Sequence, residues 1–266
     1  MGRPRVSRPS PRKGKPTRSR SRDRHILFLT GTRADFGKLK PLIEATSRTP
    51  GLKTSIFATG MHMLARYGAT VHEIRKAGFR NIFTYINQDG SRATQMDLVL
   101  ATTVQGIAHY VRENPPDLLV VHGDRIETLA GAIVGALNNI LVAHIEGGEL
   151  SGTIDELIRH AVTKLSHLHF VANRVARNRL LQMGERSESV FTIGSPDVDV
   201  MPGIAWSGPW SRERTTGSWR SCLAGWSPRF PRRRSIRTPP ARGSALSPRC
   251  SERWGRGCRT SSADSP

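Results

Sequence analysis

The sequence predicts an α/β protein, a doubly wound parallel sheet covered by helices on both faces. Three observations carry the prediction. Between residues 25 and 201, short apolar runs alternate with segments of helical spacing. The apolar runs, among them ILFLT, LLVV and ILVA, are continuous, as in strands buried on both sides. Each run gives way to a loop of glycine, polar and charged residues, at the edge where open parallel sheets bind their ligands.

Taken in order, HILFLT (25–30) reads as the first strand, and FGKLKPLIEATSR (36–48) as a helix with Phe36, Leu39, Leu42 and Ile43 on one face. LKTSIFATG (52–60) is a strand stopped by Gly60, and VHEIRKAGF (71–79) a helix closed by Gly78. NIFTYI (81–86) is the third strand. Ala93 to Glu113 carries an amphipathic stripe ended by Pro115 and Pro116. DLLVVHGD (117–124), ILVAHIE (140–146), HLHFVA (167–172) and SVFTIGSPD (189–197) are strands. ETLAGAIVGALNN (127–139), TIDELIRHAVTKLS (153–166) and RVARNRLLQMG (174–184) are the helices between them.

The ends of the chain differ from its middle. The formal charge of +20 divides into +9 for residues 1–24, +1 for 25–201 and +10 for 202–266, so it does not describe the folded part. Residues 1–24, rich in Arg, Pro and Ser, bury too little to order and are read as a disordered basic extension. It is read as incidental or as the product of a misplaced start codon ahead of a nucleic-acid arm. Residues 202–266 hold every Trp and Cys of the chain and thirteen Arg without one Lys, with no periodicity; they read as a disordered, out-of-frame tail. Nucleic acid is expected to bind only nonspecifically, through these basic ends. No window is apolar enough to span a bilayer and no secretory h-region begins the chain, so a cytoplasmic protein without a membrane partner is expected.

Five loops follow the strands: GTRAD (31–35), TGMH (59–62), HGDR (122–125), HIEGGE (144–149) and GSPD (194–197). Arg33 could meet an anion or pair with a surface acid. Asp35 reads first as a helix N-cap. His122, Asp124 and Arg125 cluster after a buried strand and read as site residues. Glu146 follows another strand and precedes two glycines read as letting a ligand approach the backbone. Asp155 and Glu156 lie in the first turn of a helix capped by Ser151 or Thr153, where the dipole alone favours acids. His62, in a loop, is a better ligand candidate than His167 and His169, at least one of which reads as a satisfied core residue or as one supporting the site from behind. No GxSxG elbow, catalytic cysteine or metal spacing is present between residues 25 and 201. Acid–base chemistry on a polar, anionic ligand is what remains.

GTRADFGKLKPLI, TGMHML, the block from His122 to Asn173 and IGSPDVDVM together resemble the hydrolysing UDP-N-acetylglucosamine 2-epimerases that feed sialic-acid synthesis. The likeness covers residues 26–201. It implies a Rossmann-like domain, the N-terminal half of a glycosyltransferase-B-like fold, acting on a UDP-sugar with no cofactor or metal, in a homo-oligomer. Residue by residue, it implies catalytic roles for Asp124, Glu146 and Asp155, and substrate contacts for Arg33, Gly37, His62 and Arg125. The family's second domain is not found in residues 202–266, so the chain is expected to be inactive or impaired as written. A glycosyltransferase of the same fold, nucleic-acid binding through the tails, and a catalytically dead regulatory half are the competing readings.

Overall fold

A computed structural model describes residues 23–89 and 95–196. The expectations for the N-terminal extension up to residue 22, for Asp197 and for the tail lie outside the described residues.

Seven strands form one sheet: β1 (Arg24–Thr30), β2 (Leu52–Ala58), β3 (Ile82–Thr84), β4 (Leu118–His122), β5 (Leu141–Ile145), β6 (Leu168–Val171) and β7 (Val190–Thr192). Their order is β3-β2-β1-β4-β5-β6-β7, with every neighbouring pair parallel. Six helices connect them: α1 (Arg33–Ser47), α2 (Val71–Lys76), α3 (Met96–Glu113), α4 (Ile126–Leu137), α5 (Ile154–Leu165) and α6 (Arg174–Gln182). The chain runs outward from β1 to β3, then returns to the centre at β4 and builds the other half. The direction of winding therefore reverses between β1 and β4, and the loops after those two strands flank the switch point.

Alternate residues of each strand feed two cores. Ile26, Phe28, Ile56, Leu118 and Val120 pack under Phe36, Leu39, Leu42 and Ile43 of α1 and under Val71 and Ile74 of α2. Leu27, Leu29, Phe57, Leu119, Val121 and Val142 pack against Ile107 and Val111 of α3, Ala130 and Val134 of α4, and Ile158 and Val162 of α5. Full burial of a side chain such as Phe28 or Phe57 contributes about 2–3 kcal/mol. Small residues bring α4 close to the sheet: a methyl group on Gly131 or Gly135 would overlap Leu29 or Val142. Ala176 and Leu180 of α6 close a smaller cluster with Val171 and Val190.

The expected elements are present with shifted ends. Helix α1 begins at Arg33, three residues ahead of its apolar stripe, because Thr32 caps it. Strand β3 keeps only Ile82–Thr84 of the expected 81–86, since as an edge strand it pairs with β2 alone. Among the described residues no helix is long and apolar enough to cross a membrane.

Candidate active site

The site grows from the carboxyl ends of β1, β4 and β5, with His122, the last residue of β4, at its centre. Its ring lies between two carboxylates. Nδ1 is 3.2 Å from Oδ1 of Asp35, and Nε2 is 3.0 Å from Oε2 of Glu146. All three side chains are largely buried, with 7%, 11% and 14% of their surface exposed for His122, Asp35 and Glu146. Asp35 is not the cap it was expected to be. Thr32 Oγ1 accepts from the Asp35 backbone N–H at 3.2 Å, which leaves the Asp35 carboxylate to reach a histidine 87 positions along the chain.

Glu146 is the most constrained residue of the group. Its backbone adopts φ +59°, a left-handed conformation costly for a side chain with a Cβ, and its N–H donates to the Phe170 carbonyl at 2.8 Å. Three donors then converge on its carboxylate: Lys38 Nζ at 2.7 Å, His122 Nε2, and Ser195 Oγ at 2.8 Å. Burial alone would raise the Glu146 carboxyl, but these donors outweigh it and hold it at about 2. Burial opposes ionisation of Asp35 as well, yet His122, Arg125 and Thr32 keep it below the usual carboxylate range. For His122 burial disfavours the charged ring, and Asp35 and Glu146 together overcome it, raising the imidazole above its ordinary value.

The two glycines after Glu146 work inward, contrary to the expectation that they admit a ligand. A Cβ on Gly147 would stand 2.9 Å from His144 Nδ1, and one on Gly148 would stand 2.7 Å from the Ala176 carbonyl. The loop is therefore seated on α5 and α6. Arg179 donates to the Gly148 carbonyl, and Asn173 Nδ2 donates to Glu149 Oε1 at 2.7 Å.

Asp124 pairs with Arg159 Nη2, while Arg159 Nη1 donates to the Glu149 carbonyl at 2.8 Å. One guanidinium thus ties the loop after β4 to the loop after β5. Asp155 lies one turn before Arg159 on α5, exposed, with the Thr153 hydroxyl donating to its Oδ2 at 3.2 Å. Thr153 caps α5 by accepting from the Asp155 N–H, and Glu156 reaches back past the cap to accept from the Ser151 and Gly152 N–H groups. Asp124, Glu146 and Asp155 therefore stand at one edge, at the ends of adjacent strands and the start of the helix that follows.

The other predicted residues divide. Arg33 is exposed and pairs with Glu73 at 3.0 Å. Gly37 faces open space, with nothing within 4 Å of where a Cβ would lie. Arg125 Nε stands 3.4 Å from Glu127 Oε2. His62, read as a ligand candidate, is wholly enclosed: Thr30 Oγ1 lies 2.9 Å from Nε2 and Thr70 Oγ1 2.7 Å from Nδ1, and burial depresses the ring to about 4. It has no surface left to offer. His169 is buried beside Glu185, while His167 is half-buried with its ring accepting from the Val142 N–H.

Sequence reasoning missed Lys38, Arg159, Ser195 and Glu127. Lys38 and Arg159 sit one turn beyond acids already singled out, a signal that helical spacing offered. Glu127 gave none: it occupies the first turn of α4, 3% exposed, with its carboxylate against Gly31 and Gly60. Among the described residues no group of three or more His, Cys, Asp or Glu side chains could hold a metal ion.

A parallel sheet with this strand order and a charged constellation at its switch point defines a Rossmann-like domain, one half of a glycosyltransferase-B-like fold. Residues 44–222 match the UDP-N-acetylglucosamine 2-epimerase family, and the chain belongs to it. A UDP-N-acetylglucosamine 2-epimerase from Neisseria meningitidis serogroup B is 49% identical over 178 residues, 67% of this chain and 47% of that protein. A UDP-N,N'-diacetylbacillosamine 2-epimerase (hydrolyzing) from Legionella pneumophila is 40% identical over 178 residues, 66% of this chain and 47% of that protein. The crystal structure of the Methanocaldococcus jannaschii UDP-GlcNAc 2-epimerase in complex with UDP-GlcNAc and UDP superposes with a TM-score of 0.59 at 27% identity, over 66% of this chain and 48% of that one. The chain spans about half the length of the curated relatives it matches. Arg33, Asp35, Gly37 and Lys38 lie ahead of the family match.

Proposed function

We propose that residues 24–196 carry the acid–base groups of a hydrolysing UDP-N-acetylglucosamine 2-epimerase. The proton at C2 of the sugar leaves, the C1–O bond breaks with its electron pair going to UDP, and a C1–C2 double bond forms. Water then adds, hydroxyl at C1 and hydrogen at C2 from the opposite face, giving N-acetylmannosamine and UDP. The observation that carries this reading is the strained Glu146, fixed by donors on three sides at the carboxyl edge beside Asp124 and Asp155. A carboxylate held at about 2 is a poor base in the resting site, which favours Glu146 as an orienting and charge-stabilising group until its donors are drawn away.

The cations supply the other requirement. Lys38, Arg33 and Arg125 ring the first and fourth strand ends, where a diphosphate bearing negative charge is stabilised as it departs. Gly37 leaves open space beside them. The relative from Legionella bears the word hydrolyzing in its name, and this supports water as the final acceptor. The whole protein is proposed to act in the cytoplasm as a homo-oligomer, on the N-acetylglucosamine nucleotide in preference to a diacetamido relative.

The experiment grafts residues 24–196 onto the remaining half of the Neisseria relative and follows products from UDP-N-acetylglucosamine. UDP and free N-acetylmannosamine are expected, with loss of at least about 100-fold in Glu146→Gln. Accumulation of UDP-N-acetylmannosamine would instead mark a non-hydrolysing enzyme. The 266-residue chain itself is expected to bind the nucleotide weakly and to release UDP at a negligible rate.

A further inference from the structure

The partners of His122 fix how many protons it holds. Nδ1 faces a carboxylate oxygen of Asp35, and Nε2 faces a carboxylate oxygen of Glu146. An ionised carboxylate accepts and cannot donate, so each gap is a hydrogen bond only if a proton lies in it. A neutral imidazole supplies one proton for two gaps. With every side chain of the trio largely buried, the remaining gap would be a close, unbonded contact between lone pairs, a costly arrangement.

We propose that Asp35 is a positioning residue of the acid–base site: it keeps His122 doubly protonated, so that the His122 Nε2–H pins the Glu146 carboxylate in place. The inference rests on the reading of Glu146 as a group of the reaction. The charges around the trio agree with it. Asp35 and Glu146 are offset by His122 and Lys38, which makes a neutral set of four. Arg125, at the cap of α4, adds positive charge on the Asp35 side, and the Gly31 N–H reaches Asp35 Oδ2 at 3.4 Å. His62 and His144 also face this cluster; burial keeps both neutral, so neither competes for the proton. Ser195 donates to the other oxygen of Glu146, which leaves Oε2 to His122 and Lys38.

Without the Asp35 charge, His122 loses its reason to stay protonated. The single proton left on the neutral ring stays on Nε2, facing Glu146, so the hydrogen bond there loses its charge assistance and holds the carboxylate more weakly beside Lys38 and Ser195. The effect is indirect, since Asp35 meets one nitrogen of the His122 ring and Glu146 meets the other.

The test uses the 266-residue chain labelled with 15N-histidine. His122 is assigned by its disappearance in His122→Asn, and long-range proton–nitrogen correlations report how many ring nitrogens are protonated. Wild type is expected to show both nitrogens protonated at pH 7.5, about one unit above the ordinary value for histidine. Asp35→Asn is expected to lower proton affinity at least about 10-fold and leave a single neutral tautomer, and Asp35→Glu to restore the doubly protonated ring. A neutral His122 in wild type, or an unchanged ring in Asp35→Asn, would overturn the proposal. If Asp35→Asn does not fold, the wild-type ring and Asp35→Glu still decide it. Turnover of UDP-N-acetylglucosamine by the grafted enzyme separates the two ideas, because a doubly protonated His122 with no turnover in the graft upholds the positioning role and removes the functional reading.

Discussion

Lys38 Nζ stands 2.7 Å from Oε2 of Glu146, although one residue lies in the second turn of α1 and the other follows β5. Strand order explains the meeting. Strands β1, β4 and β5 are neighbours in the sheet, so the helix that leaves β1 starts above the loop that leaves β5. A cation and a carboxylate 108 positions apart are thereby closed into one half-buried pair.

Replacing Lys38 by Met keeps the aliphatic stem and removes the charge. The Glu146 carboxyl is expected to rise from about 2 toward the ordinary carboxylate range, read by carbon-detected NMR of its carboxyl group. The cost in unfolding free energy is expected to be about 1–3 kcal/mol, measured by urea titration.

Acid should weaken the fold well above the carboxylate range. His62 and His144 are buried neutral, with burial lowering them from 6.5 to about 4 and about 3. The unfolded chain therefore takes up protons first as pH falls through 6.5, and stability present above that value is lost on the way down. For His62 the full effect is on the order of 3 kcal/mol. Glu146, lowered from 4.5 to about 2, adds a second loss between those values. His122 runs the other way, since its raised value gives stability that is present below about 6.5 and lost as pH climbs through the folded value. Urea midpoints from pH 8 to pH 4 are expected to fall steadily below 6.5, and His62→Asn to flatten that limb; a profile flat down to 4.5 would contradict the burial assignments.

Two glycines with similar backbone angles should respond differently to alanine. Gly60 and Gly78 have φ +63° and +87°. A Cβ at Gly78 meets nothing within 4 Å, so Gly78→Ala bears only the left-handed strain, about 1 kcal/mol. At Gly60 it would overlap the Glu127 carboxylate and come within 2.7 Å of the Gly31 carbonyl, so Gly60→Ala is expected to cost at least about 3 kcal/mol in urea unfolding.

Arg159→Ala should separate two loops that one guanidinium holds together. Asp124 loses its charged partner and the Glu149 carbonyl its donor. In the grafted enzyme the turnover of UDP-N-acetylglucosamine is expected to fall about 100-fold, because a small misplacement of catalytic groups is enough. Arg159→Lys is expected to rescue poorly, since a single ammonium cannot bridge both acceptors in the same geometry.

Much of this was legible in the sequence, and the failures have physical reasons. Strands β4 and β5 announced themselves because they are buried on both faces and so read as unbroken apolar runs. The placing of Asp124, Glu146 and Asp155 at one edge followed from their position after strands. What periodicity cannot carry is side-chain direction. Asp35 looked like a cap because caps are common at strand-to-helix junctions, but Thr32 filled that role and released it. His62 looked accessible because it sits in a loop, yet a short 3-10 turn at Gly60–Met63 folds it under Thr30 and Thr70. Glu127 was invisible because a buried acid in the first turn of a helix looks, in one dimension, like an exposed one favoured by the dipole.

The most direct measurement is an amide NMR titration of the 266-residue chain with UDP-N-acetylglucosamine. The account predicts saturable shifts confined to the carboxyl edge, around Asp35, Lys38, Asp124 and Glu146, and weakened by Lys38→Met. No saturable shift at any concentration, or shifts gathered instead around Asp23, His25, Lys53 and Glu113 in the cavity at the opposite edge, would contradict it.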